Sequence, residues 1–296
     1  MPTEQRVDVD VEGRRLTLTN LQKEMYPGFT KAHVIDYYTR IAPVMLAHVA
    51  DRPLTLHRFV NGTGAPGFYE KHVPSHAPDW FRTVEVPSTS SESGTVVYAV
   101  VTDLASIVWL ANLACLEFHV PLWHVGRRRH VPAPPDFIVF DLDPGAGTAI
   151  AECCTVALWA REVLEARHLE AFPKTSGSKG VQVYAPVAKR TSWERSRAMA
   201  LELAQAIERA HPELVVTNMR KERRKGRVLI DWSQNHPAKT TVAAYSLRAR
   251  PQPSVSTPLA WAEVERGAAG GDIDALSFTP EQVLARVAAD GDLFVR

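Results

Sequence analysis

Cysteine, long apolar runs and net charge are all scarce in this sequence. Cys115, Cys153 and Cys154 are its only cysteines in 296 residues. An odd count with two adjacent members does not suit a disulfide framework, and it lacks the separated pairs of a zinc ribbon. Cys115, His119 and His124 lie close enough to suggest a metal, but Cys115 falls in an apolar run read as helix, where a small buried hydrophobe is the ordinary reading. The longest apolar run, Leu104 to Cys115, is broken by Ser106 and Asn112. It is far below the about 20 residues that a membrane helix needs. The opening MPTEQRVDVD has no apolar signal region. These absences predict a cytoplasmic protein with no membrane partner. Apolar residues make up 45% and charged residues 23%, which is enough to bury a large core without covalent staples.

Net charge is only +1, but it is unevenly spread. Arg220 to Arg227 reads RKERRKGR, six basic residues against one acidic. Arg127, Arg128 and Arg129 form a second basic cluster, while the last 37 residues carry seven acids and three bases. Basic clusters in a balanced chain suit either a polyanion footprint or a solvated loop.

Strand and helix patterns alternate without strict βαβ order, which predicts an α+β fold. A hairpin is expected around Glu12-Gly13, and a helix from about Lys31 to Val49 behind the Thr30 cap. A second helix is expected from Thr102 or Asp103 to about Glu117, and others at about 148–168 and 192–210. Short strands are expected at Pro53–Phe59, Val96–Val101, Phe137–Asp141, Gly180–Ala185 and Val228–Trp232. Two tail helices are expected to start at Thr257-Pro258 and Thr279-Pro280. The chain is read as one domain over 1–296. Its parts are an N-terminal part of about 1–100, a catalytic part of about 101–250 and a helical tail of about 251–296.

The strongest chemical signal is FIVFDLDP, Phe137 to Pro144. Alternation along a strand turns Asp141 and Asp143 to one side and Ile138, Phe140 and Leu142 to the other. Two carboxylates about 7 Å apart at a strand end can share divalent cations. The DxD pattern also occurs in glycosyltransferases, phosphatases and polymerases, and in turns. VLIDWS puts Asp231 at the end of another apolar strand, where a lone carboxylate is usually a cap or a salt-bridge partner. A third carboxylate beside the pair would complete a two-metal site. TSGSKGVQVY, Thr175 to Tyr184, is not a Walker A sequence; alone it reads as an ordinary turn, but beside the acidic strand ends and RKERRKGR it offers open backbone N–H groups and a lysine to a phosphate. Lys23, Lys31, Phe68 and Tyr69 form a basic and aromatic group suited to phosphate contact and base stacking, although burial in the core is the ordinary reading of Phe68 and Tyr69 taken alone.

Taken together, these stretches resemble the polymerase domain of bacterial ligase D, in the archaeo-eukaryotic primase superfamily. The likeness covers nearly the whole chain. It rests on TNLQKEMYP, IDYYTRIAPVMLAH, GFYEK, DLASIVWLANLACLEFHVPLW, FDLDP, TSGSKG and IDWSQN with AKTTVAAYSLRARP. The resemblance implies a primase-like α+β fold with mixed sheets carrying the catalytic carboxylates. It implies nucleotidyl transfer with two Mn²⁺ ions, Mg²⁺ being the alternative, on NTP or dNTP substrates with a ribonucleotide preference. The implied setting is non-homologous end joining on gapped DNA or 3′ overhangs bearing a 5′-phosphate, with Ku and a DNA ligase as partners.

Carried over residue by residue, Asp141, Asp143 and Asp231 become the metal ligands. His119, Ser176, Lys179, Gln234 and Arg248 become nucleotide contacts, with Arg58 and Arg224 as additions. Lys23 and Lys31 become the 5′-phosphate grip, and Phe68 and Tyr69 the template stack. Three departures stand out: Gln182 where the family has histidine, His57 where it often has lysine, and a shorter segment between Tyr26 and Lys31. Two other readings stand beside it: a primer-independent primase, which uses the same residues, and a non-catalytic subunit bridging DNA ends, against which the intact Asp141, Asp143 and Asp231 argue. The chain has no room for the other domains of a full ligase D and is read as an excised domain or a stand-alone polymerase.

Overall fold

The computed structural model describes residues 6–88, 91–126, 132–271 and 273–294. The Arg127–Arg129 cluster lies outside them. Among the described residues, no helix is long and apolar enough to cross a membrane.

Two sheets carry the architecture. The first has five strands in the order Phe172–Thr175, Val181–Pro186, Phe137–Pro144, Val228–Asp231 and Val215–Val216. Its pairs are antiparallel except the last, which is parallel. The second runs Thr241–Val242, Cys115–Val120, Pro53–Arg58, Thr95–Val100 and Thr83–Pro87, with Phe68–Glu70 added on Pro53–Arg58. The helix Ile150–Glu165 covers the first sheet and shares a core with it through Cys153, Val156, Ala157, Ile138, Phe140 and Leu142. Tyr184 Oη and Thr241 Oγ1, 2.7 Å apart, link the two sheets on the face that carries the site.

Most expected elements form. The hairpin pairs Arg6–Val11 with Arg14–Thr19. The helix Lys31–Val49 runs on through Pro43. Ser192 caps Trp193–Ala210, and Thr279 with Gln282 caps Pro280–Asp290. Two expectations change. The helix after Asp103 ends at Asn112; Ala114 turns the chain at φ 61°, and Cys115–Val120 becomes a fully buried strand. A continuous apolar run does not distinguish a buried helix from a buried strand. Cys115 and His119 therefore sit in a sheet. Thr257-Pro258 starts no helix: Thr257 N donates to Thr175 Oγ1, Pro258 bridges Lys174, and the helix Trp261–Ala268 begins after Ala260.

Candidate active site

The strand Phe137–Pro144 reaches past Asp143, so both aspartates of the DxD lie within it. Its register pairs Asp141 with Asp231 on one neighbour and with Gln182 on the other. Directly opposed residues of antiparallel strands share a face, as do residues two apart on one strand. Sheet geometry alone therefore puts Asp141, Asp143 and Asp231 on one face.

Their electrostatics follow. Burial and then Asp143 and Asp231 raise the Asp141 carboxyl, against the bond it accepts from Gln182 Nε2 at 2.9 Å. Burial and Asp231 also raise Asp143, against Arg224 and Arg248. Asp231 is held by its own turn: Oδ1 accepts from Ser233 N at 3.0 Å and Oγ at 2.6 Å, and Oδ2 accepts from Gln234 Nε2 at 2.8 Å. Three mutually repelling carboxylates with oxygen-only donors suit hard divalent cations, which would relieve that repulsion. The Asp141 and Asp231 oxygens are drawn toward Gln182 and toward Ser233 and Gln234, respectively. The metal-ligating atoms that lie within 4.8 Å of one another among the described residues belong instead to His57, Glu117 and His119.

A cavity of about 410 Å³ opens over Asp141 and Asp143, between the two sheets; Asp231 is on the same face by register but is not among its lining residues. Asp141, Asp143, His119, Ser176, Lys179, Gln182, Arg224 and Arg248 line it. Two glycines make this possible. A Cβ on Gly180 would lie 2.2 Å from Leu142 O, so the loop can lie directly on the aspartate strand only with glycine there. A Cβ on Gly145 would lie 1.8 Å from Arg224 O; Gly145 N also donates to Arg227 O, docking the basic loop against the strand end. That is how Arg224 reaches the cavity, with its own Nη2 donating to Met219 O at 2.6 Å.

The phosphate loop differs from its sequence reading. Three of its N–H groups are taken within the loop: Gly177 N donates to Thr175 Oγ1, and Ser178 N and Gly180 N donate to Ser176 Oγ, at 3.2–3.3 Å. Ser176 organises the loop, and Lys179 supplies a cation to the cavity wall.

Gln234 and Arg58 do not line the cavity. Gln234 holds Asp231. Arg58 donates through Nε to Leu113 O and through Nη1 to Glu70 Oε2 at 2.7 Å, and lies over the Phe68 ring. Lys23 and Lys31 do meet, because Lys31 N donates to Lys23 O at 2.8 Å. Lys23 is exposed with Nζ 3.4 Å from Asn61 Oδ1, whereas Lys31 is buried and donates to Thr19 Oγ1 at 3.2 Å. Phe68 and Tyr69 are both exposed, at 43% and 62%. As strand neighbours they point to opposite faces. Tyr69 stacks on His57 at 4.0 Å and meets His119 edge-on.

The sequence reading missed Glu117. Only 3% exposed, it accepts from His119 Nε2 at 2.8 Å and Ala249 N at 2.9 Å, with His57 Nδ1 at 3.2 Å and Arg248 Nε at 3.3 Å. Burial opposes its ionisation, but these partners hold its carboxyl well below the usual range. Burial lowers the His119 imidazole, and Glu117 pulls it the other way. The available signal was a charged residue two positions from a histidine inside the apolar stretch CLEFHV.

Against known proteins, the family described as LigD, primase-polymerase domain, matches residues 30–294. The multifunctional non-homologous end joining DNA repair protein LigD of Mycobacterium tuberculosis is 42% identical over 289 residues, 96% of this chain and 37% of that protein. The bifunctional non-homologous end joining protein LigD of Bacillus subtilis is 28% identical over 280 residues, 94% of this chain and 43% of that protein. The chain thus spans about two fifths of the length of these relatives. Among solved structures, the polymerase domain from Mycobacterium tuberculosis ligase D in complex with DNA superposes with a TM-score of 0.86 at 41% identity, over 94% of this chain and 96% of that one.

Proposed function

This chain belongs to the LigD primase-polymerase family, whose members are nucleotidyltransferases, and we propose that it extends a primer 3′-end across gaps or breaks in DNA by template-directed nucleotidyl transfer. The observation that carries the reading is the strand register that opposes Asp141 to Asp231 and turns Asp143 to the same face, beneath a cavity lined by Lys179, Arg224 and Arg248.

Asp141, Asp143 and Asp231 would hold two divalent cations, Mn²⁺ by family resemblance. Such ions, when bound, activate the attacking 3′-hydroxyl and neutralise charge on the departing pyrophosphate. The remaining work falls to the chain. Lys179, Arg224 and Arg248 bring three positive charges to a triphosphate in the cavity, where partial exclusion of water strengthens each contact. His119, fixed by Glu117, adds a ring nitrogen at the wall. Ser176 acts by shaping the loop that presents Lys179. Gln182 and Gln234 act on the carboxylates themselves, each donating an amide N–H to one of them and so fixing its rotamer. No side chain is needed as general base.

DNA recognition is read the same way. Lys23, exposed beside the start of the helix Lys31–Val49, is the 5′-phosphate contact, with Lys31 supporting it from below. Tyr69 and Phe68 offer stacking surface on two faces of one strand, Tyr69 toward the nucleotide cavity. The ribonucleotide preference, action in end joining and partnership with Ku and a DNA ligase complete the proposal, supported by the names of the relatives and by the family resemblance.

The test is extension of a one-nucleotide gapped duplex, with and without the 5′-phosphate, in Mn²⁺ and in Mg²⁺, with ribo- and deoxyribonucleotides. The reading expects metal-dependent addition of the templated nucleotide, faster with a 5′-phosphate and with ribonucleotides. Untemplated addition, or none in either metal, would overturn it.

A further inference from the structure

The second sheet repeats the arrangement of the first with softer ligands. On the first, Asp141 and Asp143 are two apart and Asp231 opposes Asp141. On the second, Glu117 and His119 are two apart on Cys115–Val120, and His57 opposes Glu117 from Pro53–Arg58. The register thus puts His57, Glu117 and His119 on one face, as it does the aspartates.

Here the side chains converge closely. Glu117 Oε2 lies 2.8 Å from His119 Nε2 and 3.2 Å from His57 Nδ1, and all three donor atoms fall within 4.8 Å of one another. Hydrogen bonding does not use this convergence fully. His57 Nδ1 is buried, yet its approach to the carboxylate lacks the alignment of a hydrogen bond. The other oxygen, Oε1, accepts from Ala249 N and faces Arg248 Nε. Oε2 is thereby left to the histidines, and the partners at Oε1 orient it as outer hydrogen bonds orient a metal-bound carboxylate. Tyr69 stacks on His57 and meets His119 edge-on, bracing both imidazoles.

We propose that His57, Glu117 and His119 form a second cation site, separate from the three aspartates, that takes a borderline transition metal of the Zn²⁺ class. Two imidazoles and one carboxylate suit Zn²⁺ or Co²⁺, whereas oxygen-only carboxylates suit Mg²⁺ and Mn²⁺. Three protein ligands leave a fourth position for water or another oxygen ligand. Because His119 also lines the nucleotide cavity, the ion would sit at that cavity's wall. The two sites differ in ligand chemistry, so one probe can tell them apart. The site requires no nucleotide and is independent of the polymerase assignment.

The experiment titrates the full chain with Co²⁺ and follows its visible absorption. Four- or five-coordinate Co²⁺ with nitrogen ligands absorbs strongly, whereas six-coordinate Co²⁺ on oxygens absorbs weakly. The proposal expects strong bands from one Co²⁺ per chain, displaced by Zn²⁺ but not by excess Mg²⁺. It expects the bands to persist in Asp141→Asn/Asp143→Asn. Losing an outer partner of a metal site costs about 10–100-fold in affinity. His57→Gln and His57→Lys, checked for folding by thermal melting, remove a ligand and should weaken Co²⁺ binding by more than this. Weak bands only in the wild type, strong bands that survive both His57 variants, or bands lost in the double aspartate variant would each overturn the proposal.

Discussion

Glu117→Gln tests whether the nucleotide pocket is organised by a buried charge. The substitution keeps the shape and one carbonyl oxygen, which can still accept from Ala249 N. It removes the negative charge that His119 and Arg248 face at 2.8 and 3.3 Å. A hydrogen bond to a charged group contributes about 1.5–3 kcal/mol. Loss of one such interaction in orienting the pocket corresponds to roughly 10- to 100-fold weaker nucleotide binding, at 1.4 kcal/mol per tenfold. The aspartates on the other sheet are untouched, so the loss should fall on KM for the incoming nucleotide while kcat stays within a few-fold. Steady-state extension of a gapped duplex across a nucleotide titration reads both constants. Thermal melting separately reads the stability cost of the altered ion-pair network. An unchanged KM in a folded variant would refute the reasoning, as would a loss confined to kcat.

Three further predictions concern the loop, the DNA contact and the acid limb of stability. Gly180→Ala forces a methyl group into Leu142 O; overpacking of about 1–3 kcal/mol should displace the loop, raise KM for nucleotide and lower Tm, and wild-type kinetics would contradict the close approach. Lys23→Ala should weaken binding to 5′-phosphorylated gaps and leave unphosphorylated gaps unchanged, read by fluorescence anisotropy; equal losses on both would reject the assigned role. Burial opposes ionisation of Asp292, but bonds from His48 at 2.7 Å, Tyr245 at 2.6 Å and Phe294 N at 2.9 Å hold its carboxyl below the usual range. Its contribution is therefore present above the unfolded carboxylate pKa of about 4 and is lost as pH falls through the lower folded value. Asp292→Asn should lower Tm at neutral pH and flatten the fall in Tm on acidification; an unchanged acid limb would contradict this.

The comparison of sequence with structure turns on register. Asp141 and Asp143 were legible because a two-residue period on an apolar strand decides their face without tertiary information. Asp231 was legible as a candidate only, since its place opposite Asp141 depends on pairing between strands 90 residues apart in sequence. Glu117 was invisible for the same reason: its meaning comes from His57 on the neighbouring strand and from Arg248 on the short strand Leu247–Arg248, far along the sequence. The apolar stretch through Cys115 misled, because continuous burial erases the periodicity that separates helix from strand. In the phosphate loop, composition announced glycine, serine and lysine correctly. It could not tell that the Thr175 and Ser176 hydroxyls occupy N–H groups that a phosphate would otherwise find open. Arg58 and Gln234 show the converse limit: charge and polarity were read from the sequence, but their partners were not.

We propose that three carboxylates brought together by strand register hold the ions for nucleotidyl transfer. The decisive experiment is single-turnover extension of a gapped duplex by Asp231→Asn, at saturating Mn²⁺ and with DNA binding measured in parallel. Asn keeps the turn with Ser233 but removes the charge. A loss of several kcal/mol of transition-state stabilisation, about 1,000-fold or more in rate with DNA affinity retained, is the predicted result. Extension at near wild-type rate would contradict the account.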